Sequence, residues 1–124
     1  MNIKVLTSKN FRNKAKRLLK KYNSLKSELQ DLERQLYENP ELGISLGNDC
    51  YKIKIAVKSK GKGKSGGVRI ITNVVVRIKQ KEENTKIVGM LTIYDKSEYE
   101  NISDNELQFL VSELDEELLN NDNE

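Results

Sequence analysis

The spacing of apolar residues changes near residue 50, and this change divides the chain into a helix-forming part and a strand-forming part. Before this point, apolar residues recur every three or four positions. They form one stripe of Phe11, Ala15, Leu18, Leu19 and Tyr22 and a second of Leu25, Leu29, Leu32 and Leu36. Ser8 is the predicted N-cap of the first helix, and Asn39-Pro40 ends the second because proline lacks an amide donor. The pattern predicts a helical hairpin.

After residue 50, apolar and polar residues alternate, as in half-buried strands. This predicts strands at 51–58, 68–79 and 85–94, and a short strand at 3–6 near the start. Residues 42–48 are predicted to form a loop. Ser103 and Glu106 form the capping box of a last helix. We therefore expect an α+β domain over residues 1–119, with an N-terminal helical hairpin packed on a small antiparallel sheet of three to four strands, and a frayed acidic tail at 120–124.

A glycine-rich basic segment at 58–69 separates the first two strands of this series. Its lysines occupy every second position at Lys58, Lys60, Lys62 and Lys64. The segment also contains a G-x-G-x-x-G pattern, but a dinucleotide site needs a helix after the glycines and here a strand follows. The remaining interpretation is an exposed loop whose lysines neutralise the phosphates of RNA.

The net charge of +3 conceals a strong asymmetry along the chain. All 22 Lys and Arg lie in residues 1–96 with 9 of the 19 acids, which gives +13, whereas residues 97–124 carry −10. Such asymmetry is typical of a nucleic-acid surface with an acidic appendage. We expect the last helix to lie against the basic sheet face or to contribute to a docking surface for a protein partner.

Composition excludes several classes of chemistry and suggests a compartment. The chain has no histidine and one cysteine, Cys50, so the usual zinc patterns and an internal disulfide are not available, and no cofactor is predicted. It has no run of eighteen apolar residues and no secretory signal pattern at its start, which predicts a cytoplasmic protein without a membrane partner.

Strand parity gathers positive side chains on one face of the predicted sheet. If the three strands are neighbours, this face carries Lys52, Lys54, Arg69, Arg77, Tyr94 and Lys96. Like charges in adjacent positions are destabilising unless an anion binds among them. Ile71 and Val75 interrupt the polar face, so we expect the last helix to cover part of it.

Three segments resemble the RelE/HigB branch of the RelE/ParE toxin superfamily. They are residues 49–54 (DCYKIK), the Gly-Val-Arg start of the next strand at 67–69, and residues 91–98 (LTIYDKSE). The resemblance implies a toxin of a type II toxin–antitoxin system that enters the ribosomal A site, contacts 16S rRNA and cleaves translated mRNA. It also implies a cognate antitoxin of the HigA or RelB kind, in some members with a helix-turn-helix domain.

In this family the 2′-hydroxyl of the RNA is the nucleophile and no metal is needed. The resemblance matches Lys52 and Lys54 to the lysine pair of the second strand and Arg69 to the arginine that holds the scissile phosphate. Two family positions differ, with Ser97 in place of an arginine and Ser103 in place of a tyrosine, and Tyr94 and Tyr99 are candidate substitutes for the latter.

Chemistry suggests roles for the same residues. Cationic neighbours disfavour the charged form of a lysine, so Lys52 or Lys54 is the candidate general base. The fixed fork of Arg69 suits the charge that grows on phosphate oxygens. Lys96 is expected to protonate or shield the departing 5′-oxygen, and Tyr94 to stack on a base or transfer a proton.

Two alternatives to the endoribonuclease stay open. A ParE-like protein would use the same scaffold to inhibit DNA gyrase without catalysis, and an RNA-binding module would hold RNA without cutting it. Arrested translation with mRNA fragments would indicate cleavage, whereas arrested replication with intact message would indicate gyrase inhibition.

Overall fold

A computed structural model of the protein describes residues 1–61, 63, 66–78, 83–98 and 101–122, with the side chains of 121 and 122 left out. Over these residues the chain forms three helices and a five-stranded mixed sheet. The elements are β1 (Asn2–Thr7), α1 (Lys9–Lys21), α2 (Leu25–Glu38), β2 (Ile44–Gly47), β3 (Cys50–Ile55), β4 (Val68–Arg77), β5 (Thr85–Asp95) and α3 (Asp104–Asp122). The α+β class is confirmed.

The predicted antiparallel sheet of three to four strands is wrong in two respects. The strand order is β1-β5-β4-β3-β2, and β1 pairs with β5 in parallel, so the sheet is mixed and a strand precedes the helical hairpin. The segment predicted as a loop at 42–48 contains the edge strand β2. Only four residues long and exposed along most of its length, β2 carries little alternation from which a strand could be predicted.

A tight turn joins β2 to β3 and fixes the register of this hairpin. Gly47 pairs with Cys50, and the two residues between them, Asn48 and Asp49, have φ angles of 52° and 60°. Two consecutive positive φ values match a type I′ turn, which Asn and Asp tolerate better than other side chains. β3 thus begins at Cys50, which places Lys52 and Lys54 on one face of the sheet.

The helices cover the two faces of the sheet. The hairpin α1–α2 packs on one face around Leu18, Leu25 and Leu36. Helix α3 packs on the other face with Leu107, Leu110, Leu114 and Leu118, against a group that includes Ile71 and Val75. The expectation that the last helix covers these two strand residues is confirmed.

The predicted helix signals are confirmed by their hydrogen bonds. Ser8 Oγ accepts from Phe11 N at 3.1 Å and donates to Leu91 O at 2.9 Å, so one buried hydroxyl both caps α1 and joins it to β5. Helix α2 ends before Asn39, and Ser103 Oγ accepts from Glu106 N at 3.1 Å. Helix α3 continues to Asp122, beyond the domain boundary predicted at residue 119.

None of the described helices is both long and apolar enough to cross a membrane.

Candidate functional site

Strand pairing brings three of the predicted site residues into one row. Lys54 on β3 is the register partner of Arg69 on β4, and Arg69 is the partner of Tyr94 on β5. Directly paired residues project from the same face of a sheet with Cβ atoms about 4.5–5.5 Å apart. We call Lys54, Arg69 and Tyr94 the cross-strand row. The parity prediction is confirmed for these residues, and Lys52 lies two positions from Lys54 on the same face.

Only part of this face is open to solvent along the row. Lys54 is exposed, but Arg69 is 3% exposed and Tyr94 is 1% exposed. Tyr94 packs in the apolar cluster of α3 with Leu107 and Leu110, so the acidic C-terminal layer covers the β5 end of the row. A buried guanidinium is costly unless its N–H groups are hydrogen-bonded, and Arg69 Nη1 donates one hydrogen bond to Val68 O at 3.4 Å.

The segment that leads into α3 also crosses the sheet near β3. Lys52 Nζ donates to Asn101 Oδ1 at 3.1 Å, and Ile102 packs against the same cluster as Tyr94. Acidic α3 and its leader therefore lie on the basic face, one of the two placements that the charge asymmetry predicts. The exposed positive side chain of the cross-strand row, Lys54, therefore lies at the β3 edge of this face.

Lys54 and Lys58, together with half-buried Lys52, line an open groove of about 770 Å³ between α2 and β3. Glu28 and Asp31 on α2 line its opposite wall beside apolar residues such as Leu32. Strand β2 pairs with β3 only as far as Lys52, so the backbone edge of β3 beyond that residue borders this groove. Because Lys54 and Lys58 are exposed at this edge of the sheet, their ammonium groups can contact phosphates without movement of α3.

Arg77 does not belong to the site. It is eight residues beyond Arg69 on the same strand, which places it about 26 Å away at the usual rise per residue. Its register partner is Thr85 at the far end of β5. Two residues on the same face of a strand can thus contribute to one site only if they are also close along the strand.

Lys60 is a second correction, since we expected its side chain to be exposed on the basic loop. It is 9% exposed, and its ammonium forms a hydrogen-bonded ion pair with Asp95. Lys58 is exposed as predicted, whereas Lys62, Lys64 and Tyr99 lie outside the described residues.

Asp95 is the residue of this region that sequence reasoning missed. It is fully buried at the end of β5, where its carboxylate accepts hydrogen bonds from Tyr22 Oη, Lys60 Nζ, Ser97 N at 2.9 Å and Ser97 Oγ at 2.8 Å. Lys21 Nζ lies 3.9 Å from Oδ2. A signal was present in the sequence, because Asp95 has the same strand parity as the inward-facing Ile93 and a carboxylate there must find partners. We call Asp95, Tyr22, Lys60 and Ser97 the Asp95 cluster.

The cluster shifts two ionisation equilibria. Burial on its own raises the pKa of the Asp95 carboxyl, but the hydrogen bonds from Lys60, Tyr22 and Ser97 outweigh it and hold that pKa well below its usual range. Burial, together with the hydrogen bond to Asp95 and the charge of that residue, raises the pKa of Tyr22 to about 12. Asp95 is thus a carboxylate and Tyr22 a neutral hydrogen-bond donor at physiological pH.

Both ends of the basic loop are fastened to the rest of the fold. At its start, Lys58 N donates to Glu28 Oε2 at 2.8 Å and Ser59 N donates to Ser24 Oγ at 3.0 Å. At its end, Gly67 O accepts from Lys96 N at 3.1 Å. A Cβ on Gly67 would overlap the backbone carbonyl of Ile55, so this close approach requires glycine.

The two serines at which the chain departs from the RelE pattern both have structural partners. Ser97 belongs to the Asp95 cluster, and Ser103 caps α3. Neither hydroxyl replaces the arginine or tyrosine of the family pattern in the cross-strand row. Any proton transfer at the row therefore depends on the lysines and on Tyr94.

Several basic residues of α1 are neutralised by acids from the C-terminal part. Arg17 Nη2 lies 2.8 Å from Glu98 Oε1, and Arg12 Nη2 lies 3.4 Å from Glu117 Oε1. Lys9 N also donates to Glu117 at 3.0 Å. The positive charge of α1 and the negative charge of the C-terminal part thus partly neutralise each other within the fold. Exposed ion pairs of this kind contribute at most about 1 kcal/mol each.

Among the described residues, no three His, Cys, Asp or Glu side chains come together as a metal site. The chain matches no protein-family model, and no curated protein is similar to it in sequence.

Proposed function

We propose that this protein is a metal-independent endoribonuclease that cleaves translated mRNA in the ribosomal A site, and that it is the toxin of a type II toxin–antitoxin pair. The cross-strand row is the observation that carries the proposal. It aligns a lysine, an arginine and a tyrosine on three adjacent strands, on the single sheet face that strand parity predicts. A cognate antitoxin and 16S rRNA are the implied partners, and the cytoplasm is the implied location.

The proposed chemistry is attack by the 2′-hydroxyl on the adjacent phosphate. Lys54 or Lys52 removes the proton from that hydroxyl, and Arg69 stabilises the charge that develops on the phosphate oxygens. Lys96, on the turn after β5, protonates or shields the departing 5′-oxygen, and Tyr94 contacts the base or transfers a proton. These steps use no bound metal, because lysines supply the base and the acid and Arg69 supplies the positive charge.

Burial of Arg69 and Tyr94 adds a requirement to this mechanism. RNA must displace part of the C-terminal layer before its phosphate reaches the arginine. Exposed Lys54 and Lys58 are the first contacts in this sequence of events, since they line the open groove. Cleavage is therefore expected to be slow on free RNA and to depend on the ribosome, which supplies binding energy for the displacement.

The test is expression of the chain in growing bacteria, with new 5′ ends mapped on a known message that has or lacks a ribosome-binding site. Arg69→Lys keeps the charge and the fold but loses the planar fork, so it should reduce cleavage about 10²-fold or more. Arg34→Lys is the control, because it makes the same charge-conserving change at an exposed position on α2. New ends that persist at wild-type level in Arg69→Lys would refute the role of Arg69.

An RNA-binding protein without cleavage is the second candidate, and the burial of Arg69 and Tyr94 specifically favours it. In that case the purified protein binds RNA through the accessible lysines. For single-stranded RNA, the logarithm of the association constant should fall by about 0.7 per phosphate contact for each tenfold rise in salt concentration. Messages stay intact while Lys54→Ala weakens binding. Arrested replication with intact message would instead support gyrase inhibition.

A further inference from the structure

Asp95 lies between two residues of the proposed site but faces away from it. Tyr94 and Lys96 are its chain neighbours, and its carboxylate points to the hairpin side of the sheet, where it meets Tyr22. It is therefore placed to act through its neighbours rather than on the substrate.

One arm of the Asp95 cluster fixes the turn that carries Lys96. Asp95 Oδ1 accepts from Ser97 N at 2.9 Å and from Ser97 Oγ at 2.8 Å, and Asp95 O accepts from Glu98 N at 3.0 Å. Three hydrogen bonds to one residue leave the backbone on both sides of Lys96 little freedom.

A second arm connects the same carboxylate to the strand that carries Arg69. Lys60 Nζ is paired with Asp95 Oδ1 and lies 3.5 Å from Gly67 O. Gly67 O also accepts from Lys96 N at 3.1 Å. This carbonyl, two residues before Arg69, is thus shared by the backbone of Lys96 and the side chain of Lys60. The chain of contacts links the turn of Lys96 to the start of β4.

Stability alone does not explain such an arrangement. A buried ion pair pays a large desolvation cost, and well-packed apolar residues of similar size often stabilise a fold as well or better. Its hydrogen bonds do, however, specify geometry, since each donor reaches the carboxylate from one direction.

We propose that Asp95 is a positioning residue of this site, whose single carboxylate sets Lys96 in its place relative to Arg69. This inference rests on the proposed function, because it assigns Lys96 a role in cleavage. Asp95 touches neither the RNA nor the reacting atoms. It acts on the rate of the chemical step, because a displacement of about 1 Å in a reacting group costs about 10²-fold.

The experiment compares Asp95→Asn and Ser97→Ala with Glu98→Gln as a matched control. Glu98 lies in the same turn and forms an exposed ion pair with Arg17, so its substitution by glutamine removes a charge from the turn and leaves the hydrogen bonds of the cluster in place. Cleavage of ribosome-bound mRNA gives kcat and KM, and amide hydrogen exchange reports on Lys96 N and Ser97 N. We expect kcat to fall about 100-fold in Asp95→Asn and about 10-fold in Ser97→Ala at unchanged KM. Both amides should exchange at least about tenfold faster in the two variants, and Glu98→Gln should stay within about twofold of wild type.

A further variant, Lys60→Met with Asp95→Asn, separates positioning from stability. It removes the uncompensated ammonium, so thermal stability should recover relative to Asp95→Asn while kcat stays low. Recovery of kcat together with stability would show a structural role and overturn the proposal.

The outcomes distinguish this inference from the proposed function. If the wild-type protein cleaves no mRNA, the proposed function fails and the role assigned here fails with it, even if the amide exchange shows that Asp95 fixes the turn. If the wild type cleaves but Asp95→Asn keeps its kcat, or raises KM alone, only the inference fails. If Asp95→Asn does not fold, Ser97→Ala decides by the same criteria.

Discussion

Replacement of Gly89 by alanine tests the packing of α3 on the face of the sheet that carries the cross-strand row. Gly89 lies in β5, the strand between β1 and β4, and a Cβ at this position would overlap Cδ2 of Leu114 on α3. The φ angle of Gly89 is not positive, so alanine meets resistance from Leu114 and not from its own backbone.

The expected cost follows from overpacking a well-packed site. An added methyl that forces a side chain to move costs about 1–3 kcal/mol, offset by about 0.4–1 kcal/mol because alanine restricts the unfolded chain more than glycine does. A domain of 124 residues has an unfolding entropy of about 0.26 kcal/mol/K, so 1 kcal/mol corresponds to about 4 °C in Tm. Gly89→Ala should therefore lower Tm by up to about 10 °C, with about 5 °C at the middle of these ranges.

A double-mutant cycle with Leu114→Ala makes the test specific. Leu114 is buried, so its truncation alone costs about 2–5 kcal/mol. In the double variant the new methyl enters the space that the leucine leaves, and the combined loss should be about 1–2 kcal/mol smaller than the sum of the two. Leu110→Ala is the matched control, since Leu110 is buried on the same helix but is not among the nearest neighbours of a Cβ at Gly89.

Thermal unfolding followed by circular dichroism measures the four stabilities in this cycle and the two additional ones that the control cycle needs. Additive losses for Gly89→Ala and Leu114→Ala would refute the contact between β5 and α3, and with it the explanation of why Tyr94 is buried. Equal coupling with Leu110→Ala would mean that α3 responds as a whole and that the contact at Gly89 is not specific.

The remaining predictions concern the cap of α1 and the Asp95 cluster. Ser8→Ala should lower the free energy of unfolding by about 1–2 kcal/mol, measured in urea, because it removes both the cap to Phe11 N and the hydrogen bond to Leu91 O. Ser27→Ala is the control: it removes an exposed hydroxyl on α2 and should change stability by less than about 0.5 kcal/mol. Equal losses in the two variants would argue against the buried cap. Phenolate absorbance should show that Tyr22→Phe removes one titration step near pH 12 and that Asp95→Asn moves this step toward 10. Since the folded pKa of Tyr22 is raised above its unfolded value, its contribution to stability is complete below pH 10 and is lost as the pH rises through 12. A titration curve that is unchanged near pH 12 in Tyr22→Phe would contradict the assignment.

The helices could be predicted well from the sequence because their signals are local. Ser8, Asn39-Pro40 and Ser103 mark helix ends by hydrogen bonds or by the lack of a donor within a few residues. Alternation in β3, β4 and β5 likewise depends only on which side chains face a core. The edge strand β2 was missed because it is short and mostly exposed, so its pairing rather than its pattern makes it a strand.

The site was partly predictable for the same reason. Parity correctly placed Lys54, Arg69 and Tyr94 on one face, because alternation along a strand is a local property. It wrongly grouped Arg77 with them, since parity repeats along a strand whereas a site occupies one place. It also failed to show that Lys60 turns inward to Asp95, a partner 35 residues away in sequence.

By itself the sequence determined the helices, four of the five described strands, the class of fold and the identity of the charged residues, because each of these follows from side-chain chemistry and spacing over a few positions. Only the tertiary structure decided that β1 joins the sheet in parallel, that α3 covers Arg69 and Tyr94, and that a buried aspartate ties the basic loop to the turn of Lys96. The physical reason is that solvent exclusion and ion pairing depend on which distant segments come into contact. A lysine or an exposed sheet face could contact many segments of the same chain, and only the packed structure shows which one it does contact.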